Sequence, residues 1–172
     1  MSANNIKVVQ NPGPTRTYDV DDRTTSAEAA TIKPGEPCKS TGSGGNFARI
    51  LESGDPEVAV DEFIGIARKE STEVSATDGT VEIITLLPQT VLRGDATTST
   101  NVNTAAKLLG LKNDWVTFDF AASVFTINEN EGTDPNVHGL KVIDGDFEDF
   151  WLDVIVHMNC TELAPLIGQT MD

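Results

Sequence analysis

The sequence predicts a mostly-β fold, a small β-barrel or sandwich with one or two short helices and an extended N-terminal arm. Three observations carry this expectation. Short β-branched runs alternate with polar residues along most of the chain, as in Val58–Ala67 and Trp115–Ile127. Gly and Pro turn signals cut Ile32 to Ser71 into hairpin-sized pieces, at Pro34-Gly35, Gly42 to Gly45 and Gly54-Asp55-Pro56. Only Thr104 to Leu109 carries helix start and stop signals.

Residues 1–30 differ from the rest. Asn11-Pro12-Gly13-Pro14 forbids regular structure locally, and Asp19 to Ala30 is polar, Thr-rich and poor in apolar anchors. Such a segment reads either as a frayed terminus or as an arm that gains order against a partner, with Ile6, Val8 and Val9 as its strand-adding part. From Ile32 the strand pattern begins. Val58, Val60, Ile64 and Ile66 share one parity, and Gly65 between two isoleucines points to a bulge or a close backbone approach. Thr77-Asp78-Gly79-Thr80 marks a tight turn. Val81 to Leu87 is apolar on both parities, the signature of a doubly covered strand, which Pro88 should stop. A short strand follows at Thr90 to Leu92.

Asp95 to Asn103 reads as a polar loop. Thr104 to Leu109 is a helix of about two turns, capped by Asn103 or Thr104, with Gly110 in the left-handed closing position. Val116, Phe118 and Phe120 alternate with Thr117 and Asp119, and the parity slips at Ala121 to Val124, which requires a bulge or turn. Leu140 to Ile143 is a strand and Asp144-Gly145 a turn. Phe150 to Met158 is the last strand, with Leu152, Val154, Val156 and Met158 on one face. The domain boundaries follow: an arm over 1–30, a β-rich domain over 31–160, and a tail over 161–172 with an apolar patch at Leu163, Leu166 and Ile167.

The 172 residues carry 12 Lys plus Arg against 27 Asp plus Glu, a formal charge of −15. A domain of this size buries roughly 70% of its unfolded surface and needs neither metal nor disulfide to fold. The acid excess argues against binding a nucleic-acid backbone or an anionic membrane, and favours a neutral or basic partner surface. No run approaches the ~20 apolar residues of a membrane span. The polar opening MSANNIKVVQNPGP lacks the core of a signal peptide. Without an export signal Cys38 and Cys160 are expected to stay reduced, and the Asn159-Cys160-Thr161 sequon to arise by chance.

No constellation assembles a catalytic, cofactor or metal site, and the expectation is a protein that is not an enzyme. Thr41 to Asn46 is glycine-rich but lacks the Lys and the helix that a phosphate cradle requires. Asp144, Asp146 and Glu148 alternate like calcium ligands, yet Asp149 stands where the loop glycine belongs and Ile155 where the bidentate Glu belongs. His138 and His157 are the only histidines; Asp153 and His157 are four residues apart on a strand, too far for one metal. No Ser carries the surroundings of a nucleophile. Arg93-Gly94-Asp95 is a three-residue match to an adhesion motif and reads as an ordinary turn. Trp115 and Trp151 with Phe118, Phe147 and Phe150 form either a sugar platform or, more often at strand spacing, a core.

Pro34-Gly35-Glu36-Pro37 before a glycine-rich turn, then Val58-Ala59-Val60 and Phe63-Ile64-Gly65-Ile66-Ala67, resembles the head decoration (cement) proteins of tailed bacteriophages. The later block continues the resemblance through Ala105 to Leu109, Asp114 to Asp119, Val137 to Leu140 and Gly145-Asp146. It implies a β-tulip-like or related small β fold, a homotrimer, and a place on the exterior of the virion after synthesis in the host cytoplasm. The implied partner is the major capsid protein of the expanded head, whose subunit contacts it would stabilise. The partner-binding residues expected on that basis are Ile6, Val8, Val9, Pro12 and Tyr18. The alternative is a carbohydrate-binding β-module displayed on a virion or cell surface.

Overall fold

The computed structural model describes residues 6–21, 31–40, 48–50, 63–121, 124–130 and 139–156. It is mostly β, a nearly closed, barrel-like antiparallel sheet of nine strands with two short helices. The strands are β1 (Lys7–Val20), β2 (Pro37–Ser40), β3 (Ala48–Ile50), β4 (Phe63–Ala67), β5 (Gly79–Asp95), β6 (Trp115–Ala121), β7 (Val124–Asn128), β8 (Leu140–Asp146) and β9 (Trp151–Val156). Helices α1 (Ser99–Val102) and α2 (Ala105–Leu111) lie between β5 and β6.

β5, at 17 residues, organises the molecule. Ile83 and Ile84 pair with β4 while also pairing with β1; Val91, Leu92 and Arg93 do the same with β9 and β1. A residue has only two lateral neighbours, so β1 runs along one edge of β5 and β4 then β9 share the other. The order β3-β2-β4 extends from the first half of β5, and β9-β8-β6-β7 from the second. A parallel bridge from Ala96 to Ile127 of β7, with Thr97 N–H donating to the Ile127 carbonyl at 2.9 Å, brings the second branch back to the end of β5.

Two apolar clusters form the core, and β4 contributes to both, Phe63 and Ile66 to the larger and Ile64 and Ala67 to the smaller. The larger holds Ile6, Leu86, Leu92, Phe118, Phe125, Ile127, Leu140, Leu152 and Val154; the smaller holds Val20, Ile32, Cys38, Ile64, Val81 and Ile83. Ile50 packs against both. Phe63 meets Phe118 edge to face at 5.5 Å between centroids, a geometry that aligns ring edge with ring face. β9 buries the expected Leu152, Val154 and Val156; Met158 lies outside the described residues.

Several expectations need correction. Pro88 does not end its strand. β5 passes through it by a kink at which Gln89 takes φ +69°, and the ladder with β1 shifts register there. β5 is central in its pairing, but its burial alternates and then changes parity: Val81, Ile83 and Thr85 are buried while Glu82 and Ile84 are half-buried, and beyond them Leu86 is buried and Leu87 half-buried. Thr104 caps α2, its Oγ1 accepting from Lys107 N–H at 3.3 Å. Gly110, however, lies inside the helix, and Asn113 at φ +76° takes the left-handed closing position. The polar loop at 95–103 contains α1, anchored by Val102. Asp144-Gly145 continues β8, and the turn falls at 147–150. The slip at Ala121 to Val124 is a hairpin in which those two residues pair.

Gly65 answers to both of its readings. Cys38 pairs with Gly65 and Lys39 with Phe63, so Ile64 is the extra residue of a bulge. A Cβ on Gly65 would also strike the Ile84 carbonyl of the neighbouring strand.

Candidate interaction surfaces

β1 is the first surface. The 14 residues from Lys7 to Val20 pair with β5 on one side, so the strand-adding segment finds its partner strand within the chain. Val8, Val9, Thr15, Thr17, Tyr18 and Val20 supply β propensity. Asn11-Pro12-Gly13-Pro14 is accommodated by register shifts, not by a break in the strand. Two buried threonines of β5 clip this irregular stretch. Thr85 Oγ1 donates to the Pro14 carbonyl at 2.7 Å; Thr90 Oγ1 donates to the Asn11 carbonyl at 2.7 Å and accepts from Leu87 N–H at 2.9 Å. Gly13 is required because a Cβ there would run into the Thr85 carbonyl. Prolines belong on edge strands, where a missing N–H costs no ladder bond.

The expected partner-binding residues divide along this strand. Ile6 turns inward, 1% exposed in the larger core. Val8 and Tyr18 are half-buried against the two clusters, while Val9 and Pro12 face solvent. The side chains open to a partner on β1 are therefore Val9, Pro12 and their polar neighbours.

The outer face of β5, β9 and β8 is the second surface. Arg93 lies opposite Asp153, and Asp153 opposite Asp144. Arg93 donates from Nε to Asp153 Oδ1 and from Nη2 to Asp153 Oδ2, both at 2.8 Å. Its guanidinium carbon sits 3.5 Å from the Trp151 ring centroid. The hydrogen bond to Asp153 is the main reason the Arg93 pKa is raised, with the charges of Asp153, Asp144 and Asp146 adding to it. Lys112 Nζ lies 2.9 Å from Asp144 Oδ1, and that bond is the main cause of the lowered Asp144 pKa. One row over, Trp151 lies between Asp95 and Asp146.

The aromatic residues separate. Phe118 is core, but Trp115 and Trp151 are half-buried and Phe147 and Phe150 exposed. Each indole has a cation over it, Arg93 at Trp151 and Lys141 at 5.5 Å from Trp115. Arg93-Gly94-Asp95 is not a turn; it lies within β5, with its Arg committed to Asp153. Of the alternating acids, Asp144 pairs with Lys112, and Asp146 Oδ1 accepts the Glu148 and Asp149 amides at 2.7 and 3.0 Å. Among the described residues no group of three or more His, Cys, Asp or Glu is placed to hold a metal ion, and no helix is long and apolar enough to cross a membrane.

Cys38 is a buried free thiol. Burial is the main force pushing its pKa up, with the Glu36 charge second. Cys160, the sequon, His138, His157, the Thr41 to Asn46 loop and the tail from 161 lie outside the described residues.

No protein-family model matches the chain, and no curated protein matches it.

Proposed function

We propose that the protein is a bacteriophage virion structural protein, a capsid decoration or cement protein. In this reading it binds the assembled, expanded head as a homotrimer and stabilises contacts between major capsid protein subunits. The observation that carries the reading is β1, a 14-residue, largely exposed strand whose pairing runs along one edge to β5. A strand of this kind binds a partner through backbone and shallow side-chain contacts and needs no chemistry. The motif-bearing segment Phe63–Ala67, a fully buried strand next to β5, supports it through the resemblance it carries. The charge of −15 suits a neutral or basic partner surface. Many weak contacts per shell act together, and a protein that binds only the assembled shell stabilises it by mass action.

The test is binding to expanded shells stripped of decoration. Co-sedimentation at saturating, symmetric occupancy and a raised rupture temperature are expected; free protein in the supernatant and an unchanged rupture temperature would sink the proposal. Native mass measurement of the free protein reads the trimer directly.

The carbohydrate-binding alternative draws on the half-exposed Trp115 and Trp151. Sugar stacking needs an open indole face, and the stacked Arg93 occupies one face of Trp151. Glycan-array binding lost on Trp115→Ala or Trp151→Ala would favour this reading.

A further inference from the structure

We propose that the turn joining β8 to β9 is a docking knob for a basic protein surface that offers an apolar pocket. This inference is independent of the virion reading, because it rests on a different element and on charge.

Phe147 and Phe150 stand at the two ends of this four-residue turn, and each is 38% exposed. Isolated exposed apolar residues are ordinary, but here two large ones bracket a single turn. The turn is held in shape from within and without. Asp146 Oδ1 accepts the amides of Glu148 and Asp149, and the Ala96 amide donates to the Phe150 carbonyl at 2.9 Å. Phe150 is held at φ +60°, a costly setting for a bulky side chain. The aromatic pair is thus presented in a fixed geometry, which lowers the entropy lost on docking.

Charge decides the occupant. From Val142 to Val156 the chain carries no Lys or Arg. The neighbouring cations are committed, Arg93 to Asp153 and Lys112 to Asp144. Glu148 and Asp149, between the two Phe residues in sequence, are exposed, and Trp151 adds a half-buried indole set between Asp95 and Asp146. Two exposed aromatics flanking an acidic pair complement a surface that offers an apolar pocket beside Lys and Arg. A second copy of this chain would bring the same acidic rim and a further charge of −15, so self-docking through this turn is opposed. An anionic lipid surface or a nucleic-acid backbone is opposed by the same sign.

The experiment selects a random dodecapeptide library on the immobilised full chain and measures the affinity of enriched peptides. Peptides combining two or more Lys or Arg with Leu, Ile, Met or Trp are expected, with affinity falling as salt rises from about 50 to about 300 mM. Phe147→Ser with Phe150→Ser, and separately Glu148→Lys with Asp149→Lys, should each weaken binding about tenfold or more. Phe150→Gly separates docking from folding: it relieves the positive φ, so it should keep or raise the melting temperature while weakening the peptides. No enrichment, peptides without cations, or affinities that none of these variants changes would overturn the proposal. So would sedimentation showing self-association that the Phe147→Ser, Phe150→Ser variant abolishes, since the turn would then be covered by a second copy.

Discussion

Arg93 grips Asp153 across the β5–β9 ladder with two parallel hydrogen bonds of 2.8 Å, and in doing so lays its guanidinium on the face of Trp151. A planar fork satisfies both demands together, and a lysine ammonium cannot. The pair is partly solvated, so its worth is modest. Arg93→Lys should cost about 1 kcal/mol of unfolding free energy. In a Trp115→Phe background, where Trp151 is the sole indole, acrylamide should quench its fluorescence more strongly in the Arg93→Lys variant. Unchanged stability and quenching would show the stack to be without consequence.

Two glycines should respond in opposite directions to alanine. At Gly13 a Cβ meets the Thr85 carbonyl, so Gly13→Ala must lift β1 from β5 and disturb the Thr85 clip. A loss of about 1–3 kcal/mol is expected, with faster hydrogen exchange along β1. At Gly110, exposed inside α2, a Cβ meets nothing within 4 Å. Gly110→Ala should stabilise by about 0.5–1 kcal/mol. Urea melts of both variants read the contrast, and a stabilised Gly13→Ala would contradict the close approach.

What the sequence made legible was set by local rules. Gly65 between isoleucines, the strand pattern at Trp115 to Phe120 and the Thr104 cap are all announced by residues a few positions away, and the bulge, the strand and the cap each appear in the structure, although Thr117 is buried with Phe118. Where long-range contacts compete with local ones, the reading failed. Pro88 and Asn11-Pro12-Gly13-Pro14 are breakers by local rule, yet Thr85 and Thr90 bind the Pro14 and Asn11 carbonyls from 71 and 79 residues away, and Thr90 also accepts the Leu87 amide beside Pro88. The Gly110 signal lost to Asn113, whose amide donates to Val142 of β8 at 2.9 Å and so sets where the helix ends. The Arg93–Trp151–Asp153 cluster joins strands 60 residues apart, and no spacing along the chain announces it. The inward turn of Ile6 was hidden for the same reason: its core is built by strands that follow much later.

Cys38 should be chemically silent in the native state. The thiol is fully buried, donates to the Glu36 carbonyl at 3.4 Å, and has its pKa pushed up by burial first and by the Glu36 charge second. Nucleophilic attack needs the thiolate, which this site disfavours. In a Cys160→Ser background, an aromatic disulfide reagent near pH 8 should release no chromophore from native protein and one equivalent after denaturation. Prompt native reaction would mean that β2 opens readily.

Glu82 links acid stability to the β5 surface. Lys69 Nζ lies 2.7 Å from its Oε1 and Arg68 Nη1 3.6 Å from its Oε2. The Lys69 hydrogen bond is the main reason its pKa falls below 4.5, helped by the charges of Lys69 and Arg68. A carboxylate lowered in the folded state contributes stability above its unfolded value and loses it as the pH drops through the folded one. The stabilisation from Glu82 is therefore complete at neutral pH and decays below 4.5. Acidification also neutralises some of the −15 charge, which acts in the opposite direction on the whole molecule. The informative quantity is thus a difference: the change in unfolding free energy between about pH 7 and about pH 3, compared for the native chain and Lys69→Met. The variant should lose less on acidification, and the gap should shrink in about 1 M salt, where exposed pairs are screened. An equal loss in both proteins would remove the pair from the account of acid stability.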